Sequence, residues 1–110
     1  MPLSFSQCEV LIFVAENDSP TMHDIAGRFK IAAPSATSLV DSLVRGKILL
    51  RVQDTLDRRA VRIILSPKGR TMAATITKRR KAVLASVLKV LGPGEHRHLK
   101  RILSHILAKA

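Results

Sequence analysis

Cysteine, tyrosine and tryptophan are almost missing from these 110 residues: there is one Cys, Cys8, no Tyr and no Trp, and the only aromatics are Phe5, Phe13 and Phe29. A lone cysteine excludes an internal disulfide framework and a cysteine-built zinc knuckle, and it suits a reducing cytosol. Without Tyr or Trp, stacking platforms for single-stranded nucleic acid are poorly supplied. Long apolar runs are missing as well. The longest, Val10 to Ala15, is six residues, against the roughly twenty that cross a bilayer. No secretory signal is visible. A Gly-rich phosphate loop, paired catalytic carboxylates and a nucleophile elbow are all absent, so neither an enzyme nor a bound cofactor is expected.

Acidic residues are scarce too, eight against nineteen Lys and Arg, for a net charge of +11. The imbalance is local. Residues 1 to 44 hold two bases, Arg28 and Lys30, against five acids, whereas residues 45 to 110 hold seventeen bases against three acids. Such an asymmetry points to a polyanion met through the second half. A membrane surface fits poorly, because the tryptophans and basic amphipathic arm of interfacial binders are missing. Duplex DNA is left as the favoured partner. What is present is a core: 46% of residues are hydrophobic, enough for one folded domain of this length and inconsistent with a disordered chain.

A first helix is predicted from Ser4 or Ser6, either of which can cap it, to about Glu16, with Val10, Leu11 and Val14 on one face. Asn17, Asp18, Ser19 and Pro20 read as a turn. Thr21 and Asp24 form a capping box with a shorter acid, opening a helix from Met22 to Phe29 whose Met22, Ile25, Ala26 and Phe29 share a face. After a turn over Lys30 to Ala33, Pro34 starts a third helix that runs to Arg45. Ala36, Leu39, Val40 and Leu43 form its apolar face, and Ser35, Thr37, Ser38, Asp41 and Ser42 lie elsewhere. A small, hydroxyl-rich surface can approach a base edge or a phosphate closely. Serines and threonines also line many plainly solvated helices, so this face alone decides nothing. Gly46 is expected to end the helix as a left-handed cap.

Ile48 to Val52 and Val61 to Leu65 are too short for helices and rich in strand-favouring side chains, so they are predicted to pair antiparallel. Arg51 and Arg62 interrupt these runs, as in strands with one buried and one wet face. The loop between them has two acids, two arginines and no glycine. That predicts a protruding loop rather than a tight turn, with Arg58 and Arg59 directed outward. Three helices followed by a hairpin with a basic tip is the layout of a winged helix-turn-helix, whose third helix enters the major groove while the hairpin, the wing, reaches a minor groove. The fold class is therefore mainly α with a small β hairpin, residues 1–66 forming a DNA-binding lobe.

Residues 67–110 return to helical spacing and are expected to form a dimerisation region. A long helix is predicted from Lys68 to Leu91, with the basic block Lys78 to Lys81 between two apolar sections. After Gly92, Pro93 and Gly94 a last helix runs from Glu95 to Ala108. Two such helices bury little by themselves, so Val87, Leu88, Leu91, Leu99, Ile102, Leu103, Ile106 and Leu107 are read as half of a homodimer interface; an intramolecular hairpin folded back on the platform is the alternative.

With these residues laid out, the chain resembles the MarR family of winged-helix transcriptional regulators. Leu3 to Leu11 are similar to that family's entry into the first helix of its DNA-binding lobe. Thr37 to Leu43, Gly46, Ile48 and Arg51 follow its recognition helix and strand entry. Asp57-Arg58-Arg59, with Val61, Leu65-Ser66-Pro67 and Lys68-Gly69, match its wing signature, and Leu91, Glu95, Leu99, Leu103 and Leu107 its closing helix. The resemblance implies a cytoplasmic dimer on a pseudo-palindromic operator, often a repressor released by a small-molecule effector or an oxidant. By position it implies that Arg59 enters the minor groove, that Asp57 helps to hold the wing arginines, and that Pro34, Ser35, Thr37, Ser38, Arg51 and Arg58 complete the DNA surface.

The chain departs from the family pattern in three ways. Members usually carry a further helix ahead of this region that packs into the dimer, so either a truncated form or a dimer built from the C-terminal helices alone is expected. Ser38 and Ser42 stand where the family often has arginine, a bidentate reader of guanine, which shifts the expected contact toward the wing. Neither Ala32 nor Ala33 can cap the recognition helix with a side chain. Outside this pattern, Cys8 has no evident cation to activate its thiol and reads as structural. His23, His96, His98 and His105 lack the spacing of a metal site, and none is expected.

Overall fold

The computed structural model describes residues 2–109. Five helices and one hairpin follow in the order α1 (Phe5–Glu16), α2 (Met22–Phe29), α3 (Ala33–Arg45), β1 (Leu49–Gln53), β2 (Val61–Leu65), α4 (Pro67–Leu88) and α5 (Pro93–Lys109). The chain divides into two compact units, Met1–Thr77 and Lys78–Ala110.

Local chemistry sets the ends of the helices in the first unit. Ser4 caps α1, its hydroxyl accepting from the Gln7 N–H while the Gln7 side chain accepts from the Ser4 N–H. Thr21 and Asp24 form the same reciprocal box at α2. No side chain caps α3, where Ala32 holds the N-cap position, and Pro34 sits in the first turn, where its missing N–H costs nothing. The left-handed residue after α3 is not Gly46, whose φ is −77°, but Lys47, with φ 59°. Gly46 still closes the helix, and the reversal falls one residue later because the Ile48 N–H must reach back to the Leu43 carbonyl at 2.9 Å.

The core of this unit joins Leu11 of α1, Ile25 of α2, Leu43 of α3, Leu49 of β1 and Ile63 of β2, all fully buried. Each such side chain contributes about 1.5–3 kcal/mol by leaving water. Phe13 meets Phe29 edge to face at 5.8 Å between centroids. The unit continues past Ser66 because the first turns of α4 belong to the same core: Ala73 is buried and Met72 and Ile76 pack against the cluster. Gly69 permits this approach. A Cβ there would lie 2.2 Å from the Ile48 carbonyl oxygen.

In the hairpin Leu49 stands opposite Leu65 and Gln53 opposite Val61. This register puts Arg51 across from Ile63 and Arg62 across from Val52, so the two arginines occupy opposite faces and not one shared wet face. Beyond Leu49 the whole of β1 is exposed. Thr21 adds a single antiparallel bridge to Arg62, and the Ile63 N–H donates to the Pro20 carbonyl at 2.9 Å, so β2 is flanked on its other edge by the α1–α2 loop.

The second unit consists of the last part of α4 and α5. The α4 helix ends at Leu88, three residues before the expected end, with Lys89–Leu91 forming a turn, and α5 begins at Pro93, two residues before the expected start, because Pro is tolerated in a first helical turn. No described residue of α5 is buried. Among the described residues no helix is long and apolar enough to cross a membrane.

Candidate nucleic-acid interface

The outer surface of α3 carries Pro34, Ser35, Thr37 and Ser38, all exposed. Asp41 lies one turn further along the same side and pairs with Arg51 of β1. Arg51 shares its strand face with Gln53 two residues on, and the Gln53 amide nitrogen donates to the Arg58 carbonyl in the wing at 2.8 Å. The Asp41–Arg51 pair thus ties α3 to β1, and the Gln53–Arg58 bond ties the end of β1 to the wing. Ser42 does not belong to this exposed surface: it is half-buried, its hydroxyl donating to the Leu39 carbonyl at 2.7 Å and accepting from the Gln7 side chain at 3.0 Å. It ties α1 to α3.

The wing loop runs over residues 54–60 and contains neither a glycine nor a positive φ. Side chains fold it instead. The Asp54 carboxylate accepts from the Leu56 N–H at 2.8 Å and the Asp57 N–H at 3.4 Å, and Asp57 accepts from the Arg59 N–H at 3.0 Å. Asp57 thus holds the backbone of a wing arginine and not its guanidinium. The Asp54 N–H donates to the Ala60 carbonyl, closing the base of the loop. Arg58 and Arg59 are exposed, as is Leu56 at 96%.

One part of this arrangement was not evident from the sequence. Arg62 Nε donates to Asp54 Oδ2 at 2.9 Å, and its Nη1 donates to the Ser19 carbonyl at 3.1 Å. The Leu56 N–H, and after it the Arg62 guanidinium, hold the Asp54 carboxyl below its ordinary pKa. Opposite charges at the two ends of a loop between paired strands are the signal that could have revealed this ion pair. The Asp24 carboxyl is lowered as well, chiefly by its bonds with Thr21.

Leu99 and Leu88 of the second unit are half-buried, whereas Val87, Ile102, Leu103, Ile106 and Leu107 are exposed, Leu107 to 72%. Leu91 is also half-buried. Within this unit Val87, Leu91, Leu99 and Ile102 help to line an open, mostly apolar cavity of about 550 Å³. Cys8 is half-buried with a free thiol. Among the described residues no group of three His, Cys, Asp or Glu side chains is placed to hold a metal ion.

Helix-turn-helix, hairpin wing and following long helix define a winged-helix protein. The MarR family profile matches residues 1–60, and the chain belongs to the MarR family. It is similar to the uncharacterized HTH-type transcriptional regulator YsmB of Bacillus subtilis (strain 168), with 38% identity over 60 residues, 54% of this chain and 41% of that protein. The match thus spans about two fifths of this curated relative. Its structure is similar to that of a MarR family protein from Bacillus stearothermophilus, with a TM-score of 0.90, 26% identity, and coverage of 99% of this chain and 76% of the other. It also shares the fold of Streptococcus pneumoniae FabT in complex with DNA, with a TM-score of 0.87, 18% identity, and coverage of 96% and 74%.

Proposed function

We propose that this chain is a dimeric DNA-binding transcriptional regulator of the cytoplasm, a repressor on a pseudo-palindromic operator. Residues 1–66 carry the DNA contacts and residues 67–110 the pairing. Pro34, Ser35, Thr37 and Ser38 of α3 face the major groove or its phosphates. Arg58 and Arg59 meet the minor groove, and Asp57 keeps the backbone at Arg59 in its turn. The observation that carries this reading is the Asp41–Arg51 pair, which links the exposed hydroxyl face of α3 to the strand leading into the wing. The net charge of +11 supports a polyanionic partner, and FabT, a protein of the same fold, is seen in complex with DNA. Because Arg51 is held by Asp41, its charge is partly neutralised, and the larger share of phosphate attraction falls to Arg58 and Arg59.

Pairing through Val87, Leu88, Leu91, Leu99, Ile102, Leu103, Ile106 and Leu107 is supported by the apolar surface that the second unit leaves exposed. A small-molecule effector that releases the operator fits the same reading. The test is duplex binding followed by fluorescence anisotropy over a salt series, using duplexes enriched by this chain from a random pool. Affinity is expected to fall steeply with salt, and Arg59→Ala to weaken binding about tenfold while reducing the salt slope by about one. Parent-like binding by Arg59→Ala would remove the wing from the interface. No binding by the parent at low salt would favour a protein-interaction module instead.

A further inference from the structure

Arg62 lies outside the helix face and loop tip assigned to DNA, yet its side chain joins the wing loop to the α1–α2 loop. Its Nε reaches Asp54 Oδ2 at 2.9 Å and its Nη1 the Ser19 carbonyl at 3.1 Å. Its backbone bridges Thr21, the N-cap of α2, and the next N–H, of Ile63, reaches the Pro20 carbonyl. Asp54 in turn holds the N–H groups of Leu56 and Asp57 with its other carboxylate oxygen. A continuous path therefore runs from the α1–α2 loop through one guanidinium and one carboxylate to the backbone of the wing. The Ser19 end is unusual. Ser19 has φ 44°, a left-handed conformation that a residue with a side chain adopts at a cost, and its carbonyl is aimed at Arg62. With its guanidinium Nε and Nη1 both engaged and its side chain 40% exposed, Arg62 is placed to orient the wing and not to grip a ligand.

We infer that Arg62 is a positioning residue that sets the wing turn from the helix-turn-helix side, acting on DNA only through the placement of Arg59. The inference rests on the wing reading given above. Removing the guanidinium frees the Asp54 carboxylate, loosens the turn it caps, and lets Arg59 sample orientations that miss the groove.

The test is a pair of measurements on the whole chain. Amide hydrogen exchange, without DNA, follows Leu56 and Asp57 against the Ile48 N–H, which is bonded within the α3–β1 junction. Arg62→Ala is expected to speed exchange at Leu56 and Asp57 by about tenfold and leave Ile48 unchanged. Asp54→Asn keeps an acceptor for the turn but loses the ion pair, and is expected to show the same change in weaker form. It also serves if Arg62→Ala does not fold. Duplex affinity is then measured for Arg62→Ala, Arg59→Ala and the double variant. A loss of about fivefold for Arg62→Ala that disappears in the Arg59→Ala background is expected. Unchanged exchange at Leu56 and Asp57 in both variants overturns the inference, and so do losses that simply multiply, since Arg62 would then act independently of Arg59. If Arg59→Ala binds like the parent, the wing reading itself fails, and exchange alone decides whether Arg62 braces the turn.

Discussion

A methyl group at position 69 would strike the Ile48 carbonyl oxygen, 2.2 Å away, whereas one at position 27 would meet nothing within 4 Å. The two glycines therefore predict opposite outcomes for the same substitution. At Gly69 the obstacle is backbone already engaged by Ser66, whose N–H and hydroxyl both reach the Ile48 carbonyl, so it cannot move aside cheaply. Gly69→Ala is expected to destabilise the fold by about 1–3 kcal/mol. Gly27 is exposed within α2, and Gly27→Ala is expected to stabilise it by about 0.5–1 kcal/mol through helix propensity. Thermal unfolding of the two variants measures both signs. Ser66 shows why the neighbourhood is demanding: it is buried, and its single hydroxyl donates toward the Lys47 and Ile48 carbonyls while accepting from the Gly69 N–H.

At the scale of elements, carboxylates do the work of glycine. Asp24 closes the start of α2 and Asp54 shapes the wing, and both have pKa values below the ordinary 3.8. A carboxyl whose folded pKa is depressed contributes stability above its unfolded pKa and loses it as pH falls through the folded value. The unfolding midpoint is therefore expected to be level down to about pH 5 and to decline below about pH 4, with a shallower decline in Asp54→Asn. A midpoint independent of pH in the acid range would contradict the role given to both groups. The same elements mark how far the sequence could be read. The Thr21–Asp24 box and the 3.6-residue spacing of Val10, Leu11 and Val14 are local signals, and α1 to α3 lie where those signals put them. The faces of Arg51 and Arg62 were not legible, because hairpin register is set by how the seven-residue loop closes, which depends on the Asp54–Arg62 pair itself. The left-handed turn at Lys47 escaped for a related reason: glycine at 46 was the local favourite, and a hydrogen bond from Ile48 to Leu43 decided otherwise. The exposed hydroxyls of α3 could be read from spacing, but the withdrawal of Ser42 toward Gln7 needed the packing of α1 on α3.

At the scale of the molecule, the two proposed surfaces are expected to respond to salt in opposite directions. Residues 78–110 carry nine Lys and Arg against the single acid Glu95, together with the exposed Val83, Leu84, Val87, Ile102, Leu103 and Ile106. Two copies pairing through these apolar side chains must bring like charges together. Screening eases that repulsion, so self-association measured by sedimentation is expected to strengthen between low and moderate salt, while duplex binding weakens over the same range. Leu103→Ala is expected to weaken self-association about tenfold. A sedimentation coefficient that stays monomeric at every salt concentration would remove the homodimer from the proposal.

The closure of the wing bears on the speed of encounter. A protruding loop of seven residues ordinarily keeps much of its backbone freedom until a partner fixes it. Here carboxylates at 54 and 57, the Gln53 amide and the Ala60 carbonyl restrict that freedom within the folded chain. Conformational entropy is lost during folding and little is left to lose on contact. If the wing meets DNA as proposed, association at this loop is expected to be governed by diffusion and by the long-range field of the exposed arginines, with no slow ordering step between collision and capture.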